Sequence, residues 1–137
     1  MSRANPFTSQ IDGMRRAKPR YFCLCCDREI QKTESCSGCG HKPERFDSTG
    51  EFKAWMTRRL LQMAGEITDL KPHPKMLVKI NGQKFCTYTP DWQYRNKAGE
   101  LVYEDFKGSR AHATAASNLR RKAAELYYGI TITIVEK

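Results

Sequence analysis

The spacing of apolar residues predicts two helices in the larger, C-terminal part of the chain. From Ser48 to Gly65 apolar side chains recur every three or four positions, which indicates an amphipathic helix. Ser48 is a favourable N-cap, and Glu51 three residues later completes a capping box. A second helix is predicted over 111–128, where alanine is frequent and Gly129 follows as a C-terminal cap.

Alternating and β-branched segments predict four strands, over 76–80, 85–95, 101–107 and 130–135. Between the first two, Asn81-Gly82 is the strongest short signal for a hairpin turn. The order is therefore α-β-β-β-α-β, a helix and a three-stranded meander followed by a crossover helix and a last strand. This order predicts an α/β (α+β) fold in which helices pack against a mixed sheet.

Five of the six cysteines lie between positions 23 and 39, and four of these five form a CxxC-x9-CxxC pattern. Two such turns present four thiolates to one tetrahedral ion, so the pattern predicts a structural zinc site that stabilises the segment and does no chemistry. Cys26 preserves the two-residue gap, although Cys25 could replace it, and His41 could stand in for one cysteine. The preferred ligands are Cys23, Cys26, Cys36 and Cys39.

Charge and segment composition divide the chain into three parts. The 137 residues carry a formal net charge of +9, which indicates a polyanionic partner, most often nucleic acid. We expect a flexible basic arm over 1–20, a zinc module over 21–45 and a larger domain over 46–137.

Because no apolar run approaches the ~18 residues of a spanning helix and the N-terminus has no apolar signal core, we expect a cytoplasmic protein without a membrane segment.

Basic side chains on the arm and around the second helix are candidates for contact with a phosphate backbone. Helical spacing directs Leu119, Ala123 and Leu126 toward the sheet and Arg121 toward the opposite side. The candidate nucleic-acid-binding residues are Arg15, Arg16, Arg110, Arg120, Arg121 and Lys122.

Two carboxylates are predicted to converge on neighbouring strands. Side chains alternate between the faces of a strand, so Asp105 and Lys107 share a face, and Asp91 joins them if the polar faces of the two strands coincide. Two carboxylates beside an ammonium suit Mg²⁺, with the Phe106 carbonyl as a further ligand. The ion would activate a water, which Lys107 would orient. Glu51 has two interpretations of equal weight, a further carboxylate of this site or the capping box alone.

Two short motifs resemble the signature of the PD-(D/E)XK nuclease superfamily. They are Pro90-Asp91 and, after thirteen intervening residues, Asp105-Phe106-Lys107. More narrowly, the chain from Phe46 onward resembles a family of small phage and prophage proteins of formerly unknown function. One departure is His73-Pro74, where a glutamine before the proline is expected. The matching segments are Asp47-Ser48 with Glu51, Ala64-Gly65-Glu66-Ile67 with Asp69-Leu70, Pro90-Asp91, Tyr103-Glu104-Asp105-Phe106-Lys107-Gly108 and Tyr128-Gly129.

The resemblance implies a restriction-endonuclease-like αβββαβ core and Mg²⁺- or Mn²⁺-dependent hydrolysis of phosphodiester bonds in DNA. It places Glu51, Asp91, Asp105 and Lys107 in the active site, and so moves Glu51 from helix cap to catalysis. We expect an endonuclease selective for branched, junction-like DNA in phage recombination or replication, acting as a homodimer in the bacterial cell or infected host. Two alternatives stay open: a catalytically inert zinc protein that binds nucleic acid, and an RNA-directed nuclease.

Overall fold

The computed structural model describes residues 18–107 and 114–136. These residues form a mixed α+β structure with two helices and three sheets. The chain divides between Phe52 and Lys53 into two compact units. Within the described ranges, no helix combines the length and apolar character needed to cross a membrane. Three predicted DNA contacts, Arg15, Arg16 and Arg110, lie outside those ranges, as do the first three positions of the predicted second helix.

The first unit contains a three-stranded antiparallel sheet in which the first strand of the chain is central. Its strands are β1 (Arg20–Cys23), β2 (Arg28–Ile30) and β3 (Glu44–Phe46). Phe22 and Phe46 are fully buried, and their ring centroids lie 6.3 and 5.8 Å from that of Phe52. Because so few apolar side chains are buried here, this unit needs another source of stability.

The first helix, α1 (Thr49–Met63), begins where the sequence predicts. The Glu51 backbone N–H donates to Ser48 Oγ at 3.1 Å, which satisfies one free donor of the first turn. The Glu51 carboxylate accepts a hydrogen bond from the backbone N–H of Asp47 at 3.2 Å, one residue before the position expected in a capping box. The predicted N-cap at Ser48 is therefore confirmed, while the return bond of the capping box goes to Asp47 instead of Ser48.

The second unit contains a four-stranded mixed sheet and a separate two-stranded hairpin. The strands are β4 (Thr68–Pro72), β5 (Met76–Ile80), β6 (Gln83–Tyr88), β7 (Trp92–Arg95), β8 (Leu101–Lys107) and β9 (Ile132–Glu136). In the mixed sheet, with order β4-β7-β8-β9, the first two pairings are antiparallel and the last is parallel, with the helix α2 (Ala115–Tyr128) as the crossover. The predicted mixed sheet is confirmed.

The predicted single strand over 85–95 is wrong. The chain pairs with β5 as far as Tyr88, breaks at Thr89-Pro90-Asp91, and enters the other sheet at Trp92. Pro90 explains the break because it has no N–H to donate to a strand ladder, and its side chain is fully buried. The strand β4 was not predicted, since the Lys71-Pro-His-Pro sequence indicated a break in the chain.

The predicted orientation of α2 is wrong for its two leucines, whereas Ala123, which was predicted to face the sheet with them, does pack against the apolar cluster. Ala124 is fully buried in a cluster with Met76, Val78 and other apolar side chains, whereas Leu119 and Leu126 are 62% and 73% exposed. The helix packs on β5 and β6 through a small alanine, which permits a closer approach than leucine would. Its basic face consequently turns inward at Arg121, which is half-buried, while Arg120 and Lys122 are exposed.

Candidate metal centres

Four cysteine thiols of the first unit lie within 4.8 Å of one another. The Sγ atoms of Cys23 and Cys39 are 3.3 Å apart, and those of Cys26 and Cys36 are 3.8 Å apart. A tetrahedral Zn²⁺ with bonds of about 2.3 Å separates its sulfur ligands by about 3.8 Å, so this set fits zinc. The structure groups Cys26, and not Cys25, with the other three residues.

Two tight turns aim these thiols at one point. In the first, the Asp27 N–H donates to the Cys23 carbonyl at 2.8 Å, and the Cys26 N–H donates to Cys23 Sγ at 3.3 Å. In the second, the Gly38 N–H donates to Cys36 Sγ at 3.4 Å. Amide donors of this kind stabilise the thiolates that a metal requires.

The surroundings of the thiols change their acidity in opposite directions. The Gly38 amide is the main cause that lowers the pKa of Cys36 to about 6. The pKa of Cys26 is raised to about 12 because it bonds first to Cys36 and then to Cys39 and Cys23. Four thiols so close together cannot all ionise unless a cation joins them, which is the role that zinc would have.

The second unit contains two of the three acidic residues that the sequence assigns to catalysis, Asp91 and Asp105. Asp105 on β8 is 6% exposed, and its Oδ2 atom is 3.6 Å from Lys107 Nζ. Asp91 precedes β7, and its Oδ2 atom accepts a hydrogen bond of 2.6 Å from the backbone N–H of Phe106. The structure thus ties the Asp91 carboxylate to the residue that follows Asp105 and pairs Asp105 with Lys107.

Two further side chains of the second unit approach these aspartates. The Tyr88 hydroxyl, at the end of β6, donates a hydrogen bond to Asp105 Oδ2. His73 places a ring nitrogen within 4.8 Å of an Asp91 oxygen, and its backbone N–H donates to the Asp91 carbonyl at 2.8 Å. The sequence identified His73 only as a departure from the family pattern. In the single unbroken strand that it predicts over 85–95, Tyr88 and Asp91 would lie on opposite faces, so Tyr88 is not expected near the aspartates.

The electrostatics of Tyr88 connect α2 with this cluster. Burial raises the pKa of Tyr88 most, and the hydrogen bond to Asp105 raises it further. The positive charge of Arg121 acts in the opposite sense, while Asp91 adds to the rise. The charge of Arg121 therefore acts on Tyr88, the donor to Asp105, whereas the sequence assigned Arg121 to an outer face that contacts nucleic acid.

Glu51 and Phe106 complete the predicted set of catalytic and ligand residues. Glu51 lies in the first unit and is 7% exposed, with its carboxylate bonded to the Asp47 amide as described above. Phe106 lies within β8, where it pairs with Val135 of β9. The catalytic role of Glu51 and the metal contact of the Phe106 carbonyl stay predictions from the sequence.

Glu104 forms a second buried carboxylate cluster that the sequence did not identify. Its Oε1 atom accepts from Arg58 Nε at 2.9 Å and from Trp92 Nε1 at 2.6 Å, and its Oε2 atom accepts from the Tyr94 hydroxyl at 2.9 Å. Burial and then the bond to Glu104 raise the pKa of Tyr94 to about 12. A signal existed in the sequence, because a carboxylate between the apolar neighbours Val102 and Phe106 requires buried partners.

No protein-family model, curated protein or solved structure matches the chain. The assignment of function therefore depends on the residues and their geometry.

Proposed function

We propose that the protein is a Mg²⁺- or Mn²⁺-dependent DNA endonuclease with a restriction-endonuclease-like core. The proposal depends on one observation: Asp91, immediately before β7, is bonded to the neighbouring strand β8, on which Lys107 Nζ lies 3.6 Å from Asp105. A carboxylate pair beside an ammonium is the arrangement that metal-assisted hydrolysis of a phosphodiester uses.

Two hydrogen bonds, one from the backbone and one from a side chain, hold the carboxylates of Asp91 and Asp105 in position. The hydrogen bond from the Phe106 N–H fixes Asp91, and the hydroxyl of Tyr88 fixes Asp105, so both carboxylates are oriented before any ligand binds. Asp91 and Asp105 would hold the metal, which would polarise the scissile phosphate and lower the pKa of a bound water. Lys107, about a quarter exposed, would orient the attacking water and offset the negative charge of the phosphoryl group.

Nearby basic side chains support a polyanionic substrate. Arg121 contributes positive charge close to Tyr88, and Arg120 and Lys122 are exposed on α2. A net charge of +9 adds a long-range attraction to nucleic acid. The preference for DNA, the selectivity for junctions and the homodimeric state belong to this proposal as predictions from the sequence.

The test measures cleavage of labelled duplex DNA, single-stranded DNA, a four-way junction and RNA, each with Mg²⁺, Mn²⁺ or EDTA. We expect metal-dependent cleavage of DNA, and a loss of at least about a hundredfold in Asp105→Asn and in Lys107→Met. Asp69→Asn is the matched control, because it removes an exposed carboxylate of the same unit. Circular dichroism of each variant verifies that it folds.

Three results would contradict the proposal in different ways. Binding of DNA without cleavage in either metal favours the inert nucleic-acid-binding protein. Cleavage of RNA alone favours the RNA-directed nuclease. Equal cleavage by a folded Asp105→Asn variant rejects Asp105 as a catalytic residue, whatever the substrate.

A further inference from the structure

Two metal-binding side chains of the first unit lie outside the four-cysteine set but next to it. The thiol of Cys25 and a ring nitrogen of His41 are within 4.8 Å of each other and of Cys39 Sγ. We propose that Cys25, Cys39 and His41 hold a second Zn²⁺ ion, with Cys39 as a thiolate bridge to the four-cysteine site. This proposal is independent of the proposed nuclease activity, which concerns the other unit.

The same two turns that build the first site also position the additional ligands. Cys25 occupies the middle of the first turn, where the Asp27 bond to the Cys23 carbonyl leaves it on the outside. At the second turn, the Gly40 N–H donates to the Cys36 carbonyl at 2.7 Å, and the Cys36 N–H donates to the His41 carbonyl at 2.8 Å. This pair of bonds folds His41 back toward Cys39.

Exposure distinguishes the two sites. Cys23 and Cys36 are 1% and 2% exposed and Cys26 is half-buried, so the four-cysteine site is largely enclosed. Cys25 and His41 are both exposed, and Cys39, the proposed bridge, is half-buried between the two sites. Three protein ligands leave the fourth tetrahedral position to water, which is the pattern of zinc sites that exchange a ligand.

The chemistry of the ligands selects a borderline-soft cation. Thiolate and imidazole bind Zn²⁺ at about 2.3 and 2.0–2.1 Å and are poor ligands for Mg²⁺. Four thiolates around one Zn²⁺ have a formal charge of −2, which attracts a second cation to their edge. With the Cys25 thiolate, five negative and four positive charges leave the pair of sites at −1, so the second ion reduces the net charge of the cluster.

The second ion binds more weakly than the first because it has only three protein ligands and shares one of them, Cys39, with the first ion. The test titrates the reduced, metal-free full chain with Zn²⁺ against a chromophoric chelator, and counts bound ions by native mass spectrometry. We expect one tight equivalent followed by a second equivalent at least tenfold weaker. Co²⁺ titration should likewise show thiolate-to-metal absorption that continues to rise after the first equivalent.

Cys25→Ser and His41→Ala should each abolish the second equivalent and leave the first unchanged. Cys86→Ser is the matched control, since Cys86 lies on β6 in the other unit, and it should bind both ions. Saturation of the wild type at one equivalent overturns the proposal, as does a second equivalent that persists in both variants. A weaker first equivalent in Cys25→Ser also overturns it, because Cys25 would then be a ligand of the first ion.

Discussion

Glu104 and Asp105 are consecutive residues of β8, and both are buried, at 5% and 6% exposure. Their side chains point to opposite faces of the sheet, so each carboxylate has its own partners. Glu104 accepts hydrogen bonds from Arg58, Trp92 and Tyr94, while Asp105 contacts Tyr88 and Lys107. A buried carboxylate with three donors holds the strand in register, which in turn fixes the position of its neighbour.

Replacement of Glu104 by glutamine tests this structural role. Glu104→Gln should lower the free energy of unfolding by about 3 kcal/mol, because the Arg58 guanidinium is left without its buried counter-charge. Glu66→Gln removes the exposed carboxylate paired with Lys97 at 3.3 Å and should cost less than about 1 kcal/mol. Equilibrium urea unfolding measures both values. Similar losses in the two variants would show that Glu104 contributes no more than a surface ion pair.

The candidate site was predictable from the sequence only where its residues are near in the chain. The two-residue spacing of Asp105 and Lys107 was sufficient to place both on one face, and the structure brings them to 3.6 Å. Tyr88 and His73 were missed because their approach to Asp105 and Asp91 depends on where the chain passes from one sheet to the other. The inward orientation of Arg121 was missed because apolar periodicity suggested that the leucines of α2 are buried.

Among the secondary-structure elements, those with strong local signals follow the sequence most closely. The helix caps, β5, the Asn81-Gly82 turn and β8 all have such signals. By contrast, β4 is defined by pairing with β7, in which Pro72 lies opposite Trp92. Such long-range pairing leaves little trace in the local pattern, and this is why β4 escaped prediction. The division of 85–95, by contrast, has a local signal in Pro90, which has no N–H to donate to a strand ladder.

The hairpin of β5 and β6 provides a test at this scale. Asn81 and Gly82 both have positive φ, at 52° and 77°, as a two-residue turn of this type requires. Gly82→Ala should destabilise the second unit by about 1 kcal/mol, because a Cβ disfavours this left-handed conformation. Thermal unfolding measures the loss. Lys84→Ala, in the same hairpin but without a positive φ, should change stability little, and an equal effect would reject the role of the turn.

For the whole molecule, the two units derive stability from different sources. The second unit has an apolar cluster that joins β5, β6, α2 and β9, and a pair of tryptophan rings, Trp55 and Trp92, with centroids 6.3 Å apart. The first unit has three phenylalanine rings and the four-cysteine set. A metal ion would supply what its small core lacks.

Removal of zinc with a selective chelator should therefore unfold the first unit and leave the second folded. Limited trypsin digestion of the full chain, read by mass spectrometry, should then show new cleavage at Arg28, Lys32 and Arg45, with residues after Lys53 still protected. Addition of Zn²⁺ should restore protection. An unchanged digestion pattern in protein shown to be zinc-free would mean that the metal does not stabilise this unit.

The break between β6 and β7 also has an evolutionary consequence. Two residues separate Tyr88 from Asp91, yet one belongs to the hairpin and the other precedes a strand of the mixed sheet. The Tyr88 hydroxyl donates to Asp105, and the Phe106 N–H holds the Asp91 carboxylate. A single inserted or deleted residue between Tyr88 and Asp91 would therefore shift these two groups relative to each other. The turn at 96–100 lies at the opposite end of β7, where the hydrogen bonds of Asn96 join it to Gly99 and Glu100 of the turn itself. As related sequences diverge, changes in length should accumulate at 96–100 and be absent between Tyr88 and Asp91.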